Sequence, residues 1–367
     1  MRWAVKMRSC LLAIICLALV APAEAEPQIE TLVEGLNHPW SLAFLPDGSV
    51  LVTERGGTLR VIRDGRLLEE PVAGVPEVLV AGQGGLFDVV LDPQFEANQT
   101  LFLSYAHGDV KANATRVMRA RFDGTSLTNQ QVIFTASPLK GTPHHYGGRM
   151  AFLPDGTLLL TTGEGFNYRE DAQRLNSELG KLIRITTEGA IPEDNPFVDA
   201  SGERLKIWTY GHRNPQAIVV LPDSGDVYLN EHGPRGGDEL NVIQPGLNYG
   251  WPVISHGIDY PGSRISPYTE YPNMEQALVY WTPSIAPAGM SYYDGDEFPE
   301  WKGDLFVAAL AEQSIRRLDL ENGEVLDQEI LFTDLGFRMR DVRSGPDGAL
   351  YLLTDSAEGK VLRVTSE

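Results

Sequence analysis

Leu153-Pro154-Asp155-Gly156 followed by Leu158-Leu159-Leu160-Thr161-Thr162 is a turn running into a strand, and this chain repeats it. Leu45-Pro46-Asp47-Gly48 precedes Val50-Leu51-Val52-Thr53-Glu54, and Pro346-Asp347-Gly348 precedes Leu350-Tyr351-Leu352-Leu353-Thr354. Proline presets one turn residue, aspartate bonds its own backbone, and glycine accepts a left-handed conformation. Each phrase therefore predicts a reversal into a β-rich run. Weaker copies are Asp92-Pro93 before Leu101-Phe102-Leu103-Ser104, Leu221-Pro222-Asp223 before Val227-Tyr228-Leu229, and Phe298-Pro299 before Asp304-Leu305-Phe306-Val307. The six prolines stand at 46, 93, 154, 222, 299 and 346, spaced 47 to 77 residues apart. The inserts vary while the unit recurs.

A second strand signature follows each copy: Leu59 to Ile62, Val117 to Ala120, Leu182 to Ile185, Leu240 to Ile243, Ile315 to Leu318 and Val361 to Val364. Apolar and polar residues alternate in them, as half-buried strands require. Helix signals are confined to Asp171 to Leu179, enough for a turn or two. Six short-stranded units without helices predict an all-β, six-bladed β-propeller, each blade burying its face against the next. Two stacked β-sandwiches are the alternative. Ile29 to Val33 reads as a strand ahead of the first unit. It is expected to join the last blade and close the ring, which removes an exposed edge.

Residues 1–25 stand apart. Arg2, Lys6 and Arg8 form a basic head, Leu11 to Val20 an apolar run, and Ala23-Glu24-Ala25 a small-x-small cleavage site. This is the pattern of a secretory signal peptide. A single catalytic propeller is expected over 26–367, exported to the periplasm or medium, with no membrane anchor. The whole chain of 367 residues carries 30 Lys+Arg against 50 Asp+Glu, a net −20. Cleavage removes three basic groups and one acidic group, leaving −22, and takes away both cysteines, Cys10 and Cys16. A mature chain without cysteine has no disulfide, thiolate zinc site, iron–sulfur cluster or cysteine nucleophile. Its acidity argues against nucleic acid or an anionic membrane as partner.

Polar clusters interrupt the repeat in five places. Gly82-Gln83-Gly84-Gly85 is a flexible loop whose Gln83 both donates and accepts. Pro143-His144-His145-Tyr146-Gly147-Gly148-Arg149, with Glu164 after the next strand, offers a histidine near a carboxylate, the minimum for general-base catalysis. A surface or metal-binding histidine pair is the competing reading. Tyr210-Gly211-His212-Arg213-Asn214-Pro215-Gln216 presents a planar guanidinium suited to carboxylate or quinone oxygens, or serves as a blade corner. Glu231-His232-Gly233-Pro234 runs on to Asp238-Glu239, a turn and hard oxygens of the kind calcium prefers, without EF-hand spacing. Arg338-Met339-Arg340 puts two cations on one face of an extended chain, fit for an anion with several carboxylates or for surface ion pairs.

Taken together, these runs resemble the soluble sugar dehydrogenases that depend on pyrroloquinoline quinone (PQQ), in the aldose sugar dehydrogenase branch of the glucose/sorbosone dehydrogenase family. The likeness spans Gly35 to Val364. Its most specific wording is Tyr210 to Gln216, Glu231 to Asn241, Asn248-Tyr249-Gly250-Trp251-Pro252 and Arg338 to Val342. The resemblance implies a six-bladed propeller that oxidises aldoses to aldonolactones with PQQ and calcium, passing electrons to an external acceptor, a quinone or cytochrome. By position, it makes His145 the catalytic base in His-x-x-Gly-Arg, with Glu164 as acidic partner and Arg213 as polarising cation. Gln83, Arg213, Asn214, Arg338 and Arg340 match cofactor- and active-site contacts. Gln83, Glu164 and Trp281 fall at the sugar. Gly233 and Pro234 match carbonyl ligands of one calcium; Glu239 and Tyr249, with Asp259 weaker, match a second. One position departs from the pattern: Ala311 stands where many relatives carry a lysine that contacts the quinone. The rival readings are a calcium-dependent propeller lactonase or esterase, which has no need of paired arginines, and a non-catalytic sugar- or protein-binding propeller.

Overall fold

The computed structural model describes residues 27–366; the expected signal peptide lies outside the described residues. Six four-stranded antiparallel sheets form the molecule. Their innermost strands are Pro39–Phe44, Leu86–Leu91, Gly147–Phe152, Pro215–Val220, Pro287–Tyr292 and Met339–Ser344. Each packs against the next, and the sixth against the first, so the sheets are blades of a closed six-bladed ring. Gln28–Leu36 supplies the fourth strand of blade 6, with Ile29 opposite Val364 and Val33 opposite Val361. The expected closure is the one observed.

Position in the blade explains the sequence of each strand. Val50–Glu54, Leu158–Thr162, Val227–Glu231, Leu305–Ala309 and Leu350–Thr354 are second strands, buried at every position. They are sandwiched between neighbouring blades on both faces and so read as continuous apolar runs rather than alternation. Outer strands such as Glu324–Leu331 lie mostly in solvent and carry charge. The repeated phrase is the hairpin joining the first strand to the second. In it, the Gly48 amide donates to Leu45 O at 2.9 Å with φ +83°, and the Ser49 amide donates to Asp47 Oδ1 at 2.9 Å. Gly156 and Asp155 make the same bonds. The short helical segment is a 3-10 turn at Arg169–Gln173, earlier and shorter than the expected Asp171 to Leu179.

The axis of the ring is filled with charge. Arg149 lies 3.5 Å from Asp88 and 3.1 Å from Asp341, and Arg343 bonds Asp341 at 3.0 Å. All four come from innermost strands. Arg149 also donates to Gln216 O (2.8 Å) and Trp40 O (3.3 Å), the backbone of two residues that line the cavity described next. Removing one member would leave a buried charge unpaired, at about 3–5 kcal/mol.

Candidate functional site

The site is made where loops enter the innermost strands. His145 precedes Gly147–Phe152, and Glu164 stands two residues beyond Leu158–Thr162. His145 Nδ1 and Glu164 Oε1 are 3.0 Å apart, both buried. The His145 amide donates to Gln83 Oε1 at 2.8 Å, which joins the glycine loop of blade 2 to the pair. His145 sits at φ +49°, a conformation costly for a residue with a side chain, so its surroundings must hold it there. Gly163 is part of that hold, because a Cβ there would lie 2.4 Å from His145 O.

Burial, with the nearby Arg213 charge, drives the His145 imidazolium well below its ordinary range, so the ring is neutral. Burial also pushes the Glu164 carboxyl up to about 7, against the pull of Arg213 and Arg169. With Glu164 ionised, Nδ1–H donates to it and Nε2 keeps its lone pair. Nothing among the described residues hydrogen-bonds Nε2. A neutral imidazole with an anchored Nδ1 and a free Nε2 can accept a proton.

Beside the pair lies a cavity of about 230 Å³, lined among others by Arg55, Gln83, Asn214, Arg338, Arg340 and Asp355. Asn214 Oδ1 accepts the Gly147 amide at 3.2 Å. Arg338 and Arg340 reach the same Asp355 oxygen at 3.3 and 2.9 Å. Although burial works to raise it, Arg340, His38 and Arg338 hold the Asp355 carboxyl down to about 2. Arg213 is fixed by the carbonyls of Gly233 (2.6 Å) and His232 (3.0 Å), and its amide donates to Glu231 Oε2 at 2.6 Å. Among the described residues the Nε atoms of Arg213 and Arg340 are buried without partners. Arg55, Arg338 and Arg340 outnumber the one carboxylate lining this space, Asp355, and suit an anionic, oxygen-rich ligand.

Gly233, Pro234, Glu239 and Tyr249 come together around a second space of about 10 Å³, with Glu231 and with Arg213, which lines this space and not the larger cavity. That is room for one water-sized body. Burial and the Glu231 charge push the Glu239 carboxyl up to about 8, which a cation there would reverse. Among the described residues no three ligating side chains converge, so a cation would depend on carbonyl oxygens as well as glutamates. Two expected residues fall elsewhere. Asp259 pairs with Arg169 at 3.5 Å and lines neither space. Trp281 is buried with its indole N–H on Gln328 Oε1 (2.9 Å), and it lines a separate groove with Ala311.

Asp355, Glu231 and Arg55 were not among the expected site residues. A signal for the acids exists in the repeat: Glu54, Glu164, Glu231 and Asp355 follow the turn aspartates 47, 155, 223 and 347 by seven to nine residues. Each meets the loop entering its own blade; Glu54, for example, accepts the Asn37 amide at 2.6 Å.

Comparison with known proteins bears on the same residues. The family profile "Glucose / Sorbosone dehydrogenase" matches residues 36–363. Aldose sugar dehydrogenase YliI of Escherichia coli is 43% identical over 362 residues, covering 97% of both sequences. The crystal structure of the soluble Escherichia coli aldose sugar dehydrogenase in its apo form superposes with a TM-score of 0.89 at 43% identity, over 93% of this chain and 100% of that one. The PQQ-bound aldose sugar dehydrogenase of Streptomyces coelicolor superposes at 0.77 with 26% identity, over 94% and 99%.

Proposed function

The chain belongs to the glucose/sorbosone dehydrogenase family, and within it we propose that it oxidises aldoses at the anomeric carbon to aldonolactones, with PQQ and calcium as resident groups. The observation that carries the reading is the His145–Glu164 pair at 3.0 Å, its Nε2 free, beside a cavity rich in arginine. PQQ is a planar tricarboxylate. Arg55, Arg338 and Arg340 line the cavity and are donors suited to it. Ala311 brings no charge and lines a separate groove, while Arg55 is a third cation lining the cavity beside Arg338 and Arg340.

His145 takes the proton of the anomeric hydroxyl at Nε2, while Glu164 holds Nδ1–H and steadies the positive charge that forms. Gln83 and Asn214 orient what occupies the cavity; each already fixes the backbone at 145 and 147. Bound there, PQQ supplies the two-electron acceptor for the hydride of the anomeric carbon. The Gly233 and Pro234 carbonyls would hold a calcium, the first of them shared with Arg213 Nη1 at 2.6 Å, and that ion would supply a Lewis acid; Glu239 with Tyr249 would hold a second, structural ion. Electrons leave to an external quinone or cytochrome. Export rests on the sequence of residues 1–25; among the described residues no helix is long and apolar enough to cross a membrane.

The test is a titration of cofactor-free protein with PQQ and calcium, following dye reduction by a panel of aldoses. Saturable, calcium-dependent reduction is expected. No quinone binding at any calcium concentration, with lactone hydrolysis instead, overturns the proposal in favour of a propeller lactonase.

A further inference from the structure

His232 stands just past the second strand of blade 4, and the chemistry above leaves its ring unused. That ring lines the cavity, and among the described residues His232 is the one residue that lines both the cavity and the small space beside Gly233. Three of its four polar atoms are committed. The amide donates to Asn214 O at 3.2 Å, and the carbonyl accepts Arg213 Nη1 at 3.0 Å. Nε2 lies 2.7 Å from Pro287 O, at the head of the innermost strand of blade 5. A carbonyl only accepts, so the ring proton is on Nε2 and Nδ1 carries a lone pair. Nδ1 has no hydrogen-bond partner among the described residues and keeps open surface.

The ring is fixed in that position. Its backbone is bonded on both sides and Nε2 is anchored to a neighbouring blade, so Nδ1 is a pre-placed acceptor. The rest of the wall is of the opposite kind. Arg55, Arg338 and Arg340 are donors. Gln83 and Asn214 spend their oxygens on the amides of His145 (2.8 Å) and Gly147 (3.2 Å), which leaves their NH₂ groups for a ligand. Asp355 is taken by Arg338, Arg340 and His38. A ligand made only of carboxylates and carbonyls matches these donors and leaves Nδ1 unanswered. A second proton on the ring would add a cation beside Arg213, which is bonded to the carbonyl of the same residue.

We propose that His232 is a ligand-binding residue whose Nδ1 accepts a hydrogen bond from an N–H or O–H of the cavity's occupant. The inference rests on the reading that the cavity receives PQQ and an aldose. Two groups then carry the required donor: the pyrrole N–H of PQQ, or a sugar hydroxyl other than the anomeric one, whose proton goes to His145. In either case the site selects for a donor set among carboxylates and carbonyls, and a ligand of the same shape without one is bound less well. The two histidines present opposite nitrogens. His145 is anchored through Nδ1 and open at Nε2, whereas His232 is anchored through Nε2 and open at Nδ1.

The experiment follows the imidazole nitrogens by NMR in wild-type protein at neutral pH: free, with PQQ and calcium, and with anhydroglucitol, an aldose analogue that has no anomeric hydroxyl to oxidise, added to each. In free protein His232 should be the Nε2–H tautomer; an Nδ1–H form, or a ring protonated on both nitrogens, overturns the proposal. Movement of the Nδ1 signal on adding PQQ and calcium assigns the donor to the pyrrole N–H, and movement only with the sugar analogue assigns it to a hydroxyl. PQQ that binds, as read by tryptophan fluorescence, while neither ligand moves Nδ1 overturns the proposal and leaves the reading of the cavity standing. If PQQ does not bind, that reading fails, and the role of His232 falls with it unless the analogue alone moves Nδ1. His232→Phe assigns the signal and gives a second measure. Affinity for the ligand that moves Nδ1 should fall about five- to tenfold, and affinity for the other by less than about twofold. Equal losses for both mark a structural role and overturn the proposal. If that variant does not fold, the signal is assigned by its proximity to Pro287 and the wild type decides.

Discussion

Blades 3 and 4 carry the same device to different ends. In each, a histidine just ahead of the innermost strand meets a glutamate 19 residues on: His145 with Glu164 at 3.0 Å, and His212 with Glu231 at 2.9 Å. The second pair is complete. His212 Nε2 shares a hydrogen bond with Thr209 Oγ1 at 2.8 Å, its ring stacks on Tyr249 at 4.8 Å, and Glu231 also accepts the Arg213 amide. The first pair is not. Among the described residues His145 Nε2 has no hydrogen-bond partner, and Glu164 Oε2 is buried without one. A buried polar network that is fully satisfied makes a rigid corner, and one left open at a cavity is a place for chemistry.

The comparison breaks most sharply at Glu164→Gln. An amide cannot stabilise the imidazolium, so turnover should fall by about 10²–10⁴-fold. The same change should strengthen the fold. Burial raises the Glu164 carboxyl above its unfolded value, so its stabilising contribution is present at low pH and lost as the pH rises through about 7. Urea unfolding of cofactor-free protein at pH 8 should show Glu164→Gln more stable by about 1–3 kcal/mol. The mirror case is His212→Phe, which takes the imidazole from Glu231 Oε1 and Thr209 Oγ1 while Glu231 Oε2 keeps the Arg213 amide. It should cost about 2–4 kcal/mol in the same assay, with turnover of the remaining folded protein changed only a few-fold. Smaller again is the pH response: kcat/KM should fall about tenfold per unit below pH 7 as Glu164 takes a proton, a limb absent from Glu164→Gln. Smallest is Asp259→Ala. Standing outside both spaces, Asp259 should alter neither the calcium requirement nor turnover by more than about twofold.

The fold was legible because its signals are local. Pro-Asp-Gly turns and fully buried second strands are written in the chain, and all six of the alternating signatures fall inside third strands. The innermost strands were not read as strands. Runs such as Gly147–Phe152 and Pro287–Tyr292 line the axis, where a glycine is forced by close packing (a Cβ on Gly289 would collide with Asp341) and an arginine is paired across blades. Residues chosen for neighbours distant in sequence carry no strand period. The same reason hid Asp355, whose partners Arg338 and Arg340 stand at the head of the innermost strand Met339–Ser344. His145, Glu164, Gln83 and the arginines could be read because their wording is that of a family. Trp281 and Asp259 shared that wording, yet the structure sets them apart from the cavity.

The most direct test sets the two histidines against each other in one assay: single-turnover oxidation of an aldose by protein loaded with PQQ and calcium, for His145→Ala and His212→Phe side by side. Loss of about a thousandfold in the first, with a rate near wild type per folded molecule in the second, is the predicted result. A rate near wild type in His145→Ala, or equal losses in both, would contradict the assignment of the base.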